Sequence, residues 1–354
     1  MKSYDVTEWG KPLQLALRET PKPGPNEILI RLSYCGVCHS DVHVREGFVD
    51  MGGGVKSQLA DRGIKLPLVL GHEPVGMVAA VGPAVKGVSI GETYLVNPWI
   101  GCGQCTECLR EKDNLCEKMA ALGVARPGGF STHLMVPDAR YLIDIQGIDP
   151  AQAAVLACSG VTAYSAVTKL GELDAGQAVA VLGCGGLGLI GIAILKSLGH
   201  RNIIACDIDD AKLDAAKACG AAQVLNLKTG GAAQLLALAG GGLHGMIDFV
   251  GNPATAALAV PSLKKGGRFV SVGLFGGAAA FPLPVLAMRE ISILGSAVGS
   301  STQMRELVEL VRGGKLVLPA VQVRPLDEAE QSLRDLEAGR VTGRIVLDAS
   351  AETE

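Results

Sequence analysis

Four cysteines in one short segment have the residue type and the spacing of a metal site. Cys102, Cys105, Cys108 and Cys116 are separated by two, two and seven residues. Four thiolates at such spacings can surround one Zn²⁺ tetrahedrally and leave no open coordination position. One alternative is an iron–sulfur cluster, but the ferredoxin pattern needs a shorter last gap and a following proline, whereas Glu117 follows here. Unliganded core cysteines are the other alternative. The spacing predicts a structural zinc ion that supports a loop or an interface and performs no chemistry.

A second candidate set of ligands is dispersed along the chain and consists of Cys38, His72 and Cys158. Two thiolates and an imidazole supply three ligands and leave a fourth position for water or substrate. The chain has six histidines and ten cysteines, so many such triples can be drawn. From the residues alone, a catalytic metal site and a set of buried structural side chains both remain open.

A glycine-rich turn lies between an apolar strand pattern and an apolar helix pattern. Its residues in the pattern G-x-G-G-x-G are Gly183, Gly185, Gly186, Leu187 and Gly188. Glycines at these positions permit a tight turn and a close approach of backbone amides to a pyrophosphate, and the helix N-terminus favours that anion. Asp207 follows 19 residues after Gly188, where an acid accepts hydrogen bonds from both ribose hydroxyls and repels a 2′-phosphate. The context predicts NAD rather than NADP; a structural turn without nucleotide is the alternative.

The elements that must position these residues change in kind near residue 155. Before it, β-type runs such as 27–34 and 75–81 alternate with glycine and proline turns, which is typical of a compact barrel. After it, strand-like runs alternate with helical patterns, which predicts a doubly wound parallel sheet. The six predicted strands are 178–182, 202–206, 222–225, 246–250, 268–272 and 291–295. The last 55 or so residues break the alternation, with predicted helices over 300–313 and 327–338 and a strand over 343–347.

Composition limits the classes of partner. A chain of 354 residues predicts two domains, and 48% hydrophobic residues are enough for a large core, which excludes a disordered chain. A net charge of −3 and a pI of about 6.1 argue against a nucleic-acid partner. The uncharged run 178–195 has the length of a membrane span, but its glycines favour a strand, a turn and a buried helix. Without a secretory pattern, clustered cysteines predict metal ligands in a cytosolic protein.

In chain order, these motifs resemble the zinc-dependent alcohol dehydrogenases of the medium-chain dehydrogenase/reductase superfamily, closest to the prokaryotic tetrameric type. The residues that carry the resemblance are Gly36-Val37-Cys38-His39-Ser40-Asp41-Val42-His43, Gly71-His72-Glu73, Val96-Asn97-Pro98-Trp99, the four cysteines, Cys158, the glycine turn and Val272-Gly273-Leu274-Phe275-Gly276. The resemblance implies a GroES-like β-barrel catalytic domain over 1–155, with a structural zinc lobe over 97–118. It also implies an inserted NAD-binding Rossmann domain over 156–297 and a return to the catalytic domain over 298–354.

The function that the resemblance implies is hydride transfer between an alcohol and NAD. Cys38, His72 and Cys158 would hold a catalytic zinc, so that the chain would bind two zinc ions. The substrate would be a primary or secondary, hydrophobic or cyclic alcohol, and the product an aldehyde or ketone. A polyol or sorbitol-type dehydrogenase is an alternative, although such enzymes often place Glu where Cys158 stands. A non-catalytic NAD-binding protein with a dehydrogenase fold is the other.

Roles for single residues follow from the same resemblance. Protons would pass from the alcohol to Ser40, then to the NAD ribose, and then to His43 and solvent. Asp41 would orient the ligand histidine, as metal-bound imidazoles commonly require. Glu73 would be a carboxylate that approaches the zinc during ligand exchange. A helix cap for Ser40, a surface position for His43 and buried ion pairs for the two acids are the structural alternatives.

Further contacts are implied around the cofactor and the substrate. His39 and Arg344 would contact the pyrophosphate, Thr162 the nicotinamide and Lys212 the adenosine ribose, while a solvated helix face is the alternative for Lys212. The residues that would line the substrate pocket are Trp99, Leu274 and Phe275, with ordinary core packing as the alternative for Trp99. The resemblance also implies a homotetramer, or alternatively a homodimer. The glycine-rich segment 47–63 would cover the cleft or lie at a subunit contact.

Overall fold

The structure is a computed structural model that describes residues 1–350. Ten strands precede residue 155: β1 Lys2–Val6, β2 Gln14–Leu17, β3 Ile28–Val37, β4 Phe48–Asp50, β5 Lys56–Gln58, β6 Leu68–Val69, β7 Glu73–Val81, β8 Thr93–Val96, β9 His133–Val136 and β10 Leu142–Asp144. The helices of this part are α1 His39–Glu46, α2 Thr106–Leu109 and α3 Pro150–Ala154. Strand β3 buries Ile28, Leu29, Ile30 and Leu32 and exposes Arg31, so most of this strand lies inside the core.

The middle of the chain forms one parallel sheet with helices between its strands. Its strands are β11 Val179–Leu182, β12 Ile203–Asp207, β13 Gln223–Asn226, β14 Leu243–Asp248, β15 Leu263–Ser271 and β16 Ser292–Gly295. Its helices are α4 Ser159–Thr168, α5 Gly186–Ser197, α6 Asp210–Cys219, α7 Ala232–Leu238, α8 Pro253–Ala256, α9 Ala259–Ser262 and α10 Leu283–Arg289. The strand order β13-β12-β11-β14-β15-β16, with every pair parallel, confirms the predicted doubly wound sheet.

The uncharged run 178–195 divides into β11, the glycine turn and most of α5. Every residue of β11 is buried, because helices cover both faces of a parallel sheet. Among the described residues, no helix combines the length and the apolar character that a bilayer crossing requires.

The last part of the chain returns to the sheet that contains β3. Its elements are α11 Ser301–Arg312, α12 Ala329–Glu337, β17 Val321–Pro325 and β18 Arg344–Asp348. The Ser300 hydroxyl caps α11 by accepting from the Gln303 amide, and the Gln303 side chain accepts from the Ser300 amide, as a capping box requires. Strand β18 pairs antiparallel with β3 in the sheet order β10-β8-β7-β3-β18-β17. The domain limits 1–155, 156–297 and 298–354 stay a prediction, and residues 351–354 of the last lie outside the described residues.

Candidate metal and dinucleotide site

Three distant side chains meet where two large parts of the fold come together. Cys38 follows β3 and is the N-cap of α1, His72 directly precedes β7, and Cys158 is the N-cap of α4. One ligand atom from each lies within 4.8 Å of the other two, and all three residues are buried. The dispersed triple of the sequence analysis is therefore a geometrical cluster of the right size for one metal ion.

The imidazole of His72 is oriented by a buried carboxylate. Its Nδ1 lies 3.0 Å from Asp41 Oδ1, while its Nε2 is buried without a hydrogen-bond partner. Asp41 is itself held by the backbone amides of Cys38, at 2.9 Å, and Gly71, at 3.1 Å. In the neutral tautomer whose Nδ1 donates to the carboxylate, Nε2 carries the lone pair that a metal ligand needs. A buried polar atom without a partner is costly, and a bound metal ion would satisfy this one.

The two thiols of the cluster are not equivalent. Cys158 donates to Cys38, which lowers the pKa of the Cys38 thiol well below its usual value and raises the pKa of Cys158. The positive charge of nearby Arg344 acts to lower the pKa of both thiols. Thiolate sulfurs are soft ligands that suit a zinc ion.

A buried ion pair lies beside this cluster. Glu73 is inaccessible to solvent, and its Oε2 pairs with the guanidinium of Arg344. Its Oε1 accepts hydrogen bonds from the Ser159 amide and hydroxyl, each at 3.1 Å. Burial raises the pKa of Glu73, and the charge of Arg344 opposes that rise. A side chain at Gly36 would collide with this carboxylate, so only glycine fits there.

Arg344 also lies against the glycine turn. Its aliphatic stem occupies the space that a side chain at Gly186 would need. Its Nε is buried and has no hydrogen-bond partner. Gly188 packs so closely on the carbonyl of Gly183 that any side chain would collide with it. Backbone amides of the turn and the unpartnered Nε–H of Arg344 therefore lie at the start of α5. Helix N-termini favour anions.

Asp207 ends β12 next to the same turn. Its Oδ2 accepts from the Cys184 amide at 2.7 Å, and its Oδ1 accepts from the amides of Ile208 and Asp209. These bonds fix the carboxylate between the glycine turn and the start of α6. Lys212 lies on the first turn of α6 and is half-exposed.

Four polar residues lie on the two helices that begin at cluster cysteines. Ser40 and His43 lie one turn apart on α1 and are half-buried, and burial lowers the pKa of His43. The His39 ring lies 5.9 Å from that of His43 and 5.1 Å from the ring of Phe275. Thr162 is one turn into α4, and its hydroxyl is buried without a partner. Because α1 and α4 both begin at a cluster cysteine, these groups are brought close to it.

The predicted pocket residues lie in two different environments. Trp99 is 7% exposed; its ring lies 5.8 Å from that of His72, and its Nε1 donates to Ala157 O at 3.0 Å. Leu274 and Phe275 are 53% and 60% exposed. Trp99 is thus a packed residue beside the cluster, whereas the other two offer an open apolar surface.

The four-cysteine segment forms a separate cluster. One sulfur from each cysteine lies within 4.8 Å of the other three, with Cys108 and Cys116 buried and Cys102 and Cys105 half-exposed. The backbone amides of Gln104 and Cys105 lower the pKa of Cys102 to about 6. Four sulfurs at this separation match a closed tetrahedral zinc site.

Sequence reasoning missed Ser159 and left segment 47–63 unplaced. Ser159 follows Cys158 directly, and that adjacency was the available signal. The segment forms the hairpin β4–β5, whose Gly52 packs against the backbone of Gly277 and whose Asp50 packs against Gly276. The hairpin therefore contacts the loop that carries Phe275.

Comparisons with known proteins agree with this geometry. Residues 24–147 match the alcohol dehydrogenase GroES-like domain, and residues 186–313 match the zinc-binding dehydrogenase family. An NAD-dependent alcohol dehydrogenase of Sulfurisphaera tokodaii is 35% identical over 98% of this chain and 99% of its own length. An alcohol dehydrogenase of Geobacillus stearothermophilus is 34% identical over 98% of each chain.

Solved structures resemble the whole chain. The alcohol dehydrogenase from Aeropyrum pernix is 33% identical, with a TM-score of 0.89 over 98% of this chain and all of that one. The predicted combination of a GroES-like domain with a Rossmann sheet is confirmed. The chain belongs to the zinc-dependent alcohol dehydrogenases of the medium-chain dehydrogenase/reductase superfamily, and its reaction is the NAD-dependent interconversion of an alcohol with an aldehyde or ketone.

Proposed function

We propose that Cys38, His72 and Cys158 hold the zinc ion at which the alcohol reacts. The observation that carries this proposal is the buried, unpartnered Nε2 of His72, which faces two thiols within 4.8 Å while Asp41 fixes the other side of the ring. A zinc ion held by these three residues would supply Lewis-acid chemistry that lowers the pKa of an alcohol hydroxyl, and NAD would supply the hydride acceptor. Asp41 holds the ligand histidine in one tautomer and one orientation.

Ser40 and His43 remove the hydroxyl proton. Ser40 is two residues after Cys38, and His43 is one helical turn further on, so the two groups lead away from the metal cluster. The lowered pKa of His43 leaves its imidazole neutral near pH 7, which is the form that accepts a proton. Solvent can reach His43 because its side chain is only half-buried.

The cofactor binds across the glycine turn. The amides of the turn and the unpartnered Nε of Arg344 bind the pyrophosphate, with His39 beside them. Asp207 accepts from the adenosine ribose with Lys212 nearby, and the buried hydroxyl of Thr162 lies near the nicotinamide. Glu73 holds Arg344 in place, and it would be the carboxylate that approaches the zinc during ligand exchange.

We propose a hydrophobic primary, secondary or cyclic alcohol as substrate. Leu274 and Phe275 offer an exposed apolar surface, the buried Trp99 ring packs beside the metal cluster, and apolar pockets bind apolar groups. The polyol alternative would need polar groups at these positions. A kinetic survey with NAD should give a higher kcat/KM for cyclohexanol and benzyl alcohol than for sorbitol or xylitol.

We propose that the four-cysteine lobe binds a second, structural zinc ion and that the enzyme is a cytoplasmic homotetramer, with a homodimer as the alternative. Strand β16 is the edge of its sheet, and Leu283 and Met288 of the neighbouring α10 are exposed. An open strand edge beside apolar side chains suits pairing with a second copy. Light scattering after gel filtration measures the oligomer, and elemental analysis measures zinc per chain.

The decisive experiment combines metal content with turnover. The purified chain should contain two zinc ions and form NADH when an alcohol is added. A zinc-loaded chain that binds NAD but oxidises no alcohol in the survey would overturn the catalytic proposal and favour the non-catalytic NAD-binding protein.

A further inference from the structure

A buried serine binds the carboxylate beside the metal cluster. Ser159 is the first residue of α4, follows the cluster residue Cys158 directly and is 0% exposed. Its amide and its hydroxyl both donate to Oε1 of Glu73, each at 3.1 Å. The other oxygen of that carboxylate, Oε2, pairs with Arg344. Both oxygens of Glu73 are therefore held, one of them by this serine.

The hydroxyl of Ser159 has a second acceptor within reach. The carbonyl oxygen of Val155 lies 2.9 Å from Oγ, compared with 3.1 Å for Glu73 Oε1. A hydroxyl carries a single proton, so it donates to only one of these oxygens at a time. A buried donor without a partner is costly, but this hydroxyl keeps a hydrogen bond in either orientation. It can therefore turn away from Glu73 without becoming unsatisfied.

The backbone amide of Ser159 has no such freedom. It is the first N–H of α4 and has no acceptor within its own helix, and Glu73 supplies that acceptor. The helix dipole also favours a carboxylate at this end of the helix. The amide and Arg344 thus give Glu73 two constant partners, and the hydroxyl adds a bond that can be made or released.

Glu73 lies close to the metal cluster. Its carboxylate interacts electrostatically with Cys38, His72 and Cys158. Glu73 is also adjacent in sequence to His72, as Ser159 is to Cys158. Carboxylate oxygens are themselves zinc ligands. A carboxylate at this place can therefore compete for the open fourth position, unless its present partners hold it back.

We propose that Ser159 is a positioning residue whose hydroxyl holds Glu73 back from the cluster and, by turning to Val155 O, releases it. The inference rests on the proposed role of Glu73 as the carboxylate that approaches the zinc during ligand exchange. The hydroxyl bond opposes that approach, because it must be given up before Glu73 can leave Ser159. Its strength therefore helps to set how often the metal site exchanges its ligands.

The test measures how fast a chelator removes zinc from the cleft in the wild type and in Ser159→Ala. The alanine variant keeps the amide bond and the Arg344 pair and loses only the hydroxyl. We expect zinc loss from the cleft to become about tenfold faster, the size of effect that one hydrogen bond to a charged group has. Zinc loss from the four-cysteine lobe, followed in the same sample, should not change.

Two further variants tie the effect to this hydroxyl. Ser165→Ala removes another buried serine hydroxyl from α4, one that accepts from Lys169 Nζ at 2.8 Å, and should leave the rate of zinc loss at the wild-type value. Ser159→Thr keeps a hydroxyl at the same position and should restore the slow rate.

Replacing the carboxylate separates positioning from a merely structural role of the serine. Glu73→Gln removes the carboxylate, and an amide is not among the usual zinc ligands, so adding Ser159→Ala to Glu73→Gln should change the rate less than about twofold. A tenfold acceleration that persists in the double variant, or an unchanged rate in Ser159→Ala alone, would overturn the inference. A wild-type cleft that retains no zinc would instead contradict the proposed metal site.

Discussion

The two cysteine clusters of this chain differ in how their ligands are brought together. In the lobe, four cysteines within 15 residues of sequence meet through one short helix and its flanking turns. In the cleft, Cys38, His72 and Cys158 come from a strand end, a strand start and a helix start. A local cluster can be recognised from spacing alone, whereas the dispersed one exists only after the whole fold has formed.

The clusters also differ in what they leave unsatisfied. The lobe offers four sulfurs, which complete a tetrahedral site without help from solvent or substrate. The cleft offers three ligand atoms, with an unpartnered imidazole nitrogen among them and the polar groups Ser40 and Thr162 close by. The closed cluster suits a structural ion, and the incomplete one suits an ion that exchanges ligands.

The largest expected effect separates the two clusters by activity. His72→Ala removes a ligand from the cleft, and alcohol-dependent NADH formation should fall by about 1,000-fold or more, since the zinc-bound alcohol is lost. Cys105→Ala is the matched variant in the lobe and should keep most of the turnover per folded chain. Equal losses in both variants would contradict the division into a catalytic and a structural site.

The next effect tests the proton path without touching either cluster. Ser40→Ala should lower kcat by about 100- to 1,000-fold, as expected for loss of a proton-transfer group, while zinc content stays that of the wild type. Ser197→Ala on α5 is the control, because within residues 1–350 its hydroxyl donates to Ile194 O of its own helix and to no other group. Unchanged turnover of Ser40→Ala would remove this serine from the mechanism.

A smaller effect distinguishes the clusters by stability. Cys105→Ala should lose the lobe ion and lower the melting temperature by about 10 °C, because metal binding to a structural site is part of the folding free energy. His72→Ala should lower it less, since the surrounding helices and strands remain packed. Calorimetry with and without added zinc measures both values, and a larger loss for His72→Ala would reverse the proposed assignment.

The difference between local and dispersed features explains what could be predicted from the sequence. All six strands of the parallel sheet lie where apolar runs predict them, with ends that differ by up to five residues, and the Ser300 cap of α11 is confirmed. These features depend on a few neighbouring residues, whose pattern is visible in the chain. The metal clusters were predicted for different reasons: the lobe from spacing, and the cleft triple from the family resemblance.

Other parts of the site could not be predicted, because they depend on distant packing. Glu73 and Arg344 are 271 residues apart and pair only because β18 returns to β3. The contact of the β4–β5 hairpin with Gly277 depends on how the two sheets face each other. Ser159 belongs to no motif, and its hydrogen bonds to the Glu73 carboxylate are known only from the folded chain.

The carboxylates beside the clusters extend the comparison to metal affinity. Asp41 orients His72, and Asp113, paired with Arg140 at 2.7 Å, packs near Cys108 in the lobe. Asp41→Asn should weaken zinc retention in the cleft by about 10- to 100-fold, since outer partners of ligand histidines have effects of that size. Asp113→Asn should affect only the lobe. Zinc release to a chelator, followed for each variant, measures the two sites separately. Faster loss of zinc from the lobe in Asp41→Asn would contradict the assignment.

The smallest effect concerns pH and is confined to the cleft. Burial lowers the pKa of His43 below its ordinary value of about 6.5, so the neutral form persists to lower pH than in an exposed histidine. As pH falls through that lowered pKa, the imidazole gains a proton and can no longer accept one, and kcat should decline. His43→Gln should lose this decline, and His200→Gln, whose histidine follows α5, should keep it. A profile of kcat against pH that is identical in all three proteins would exclude His43 as the acceptor, because the decline at low pH would then come from another group.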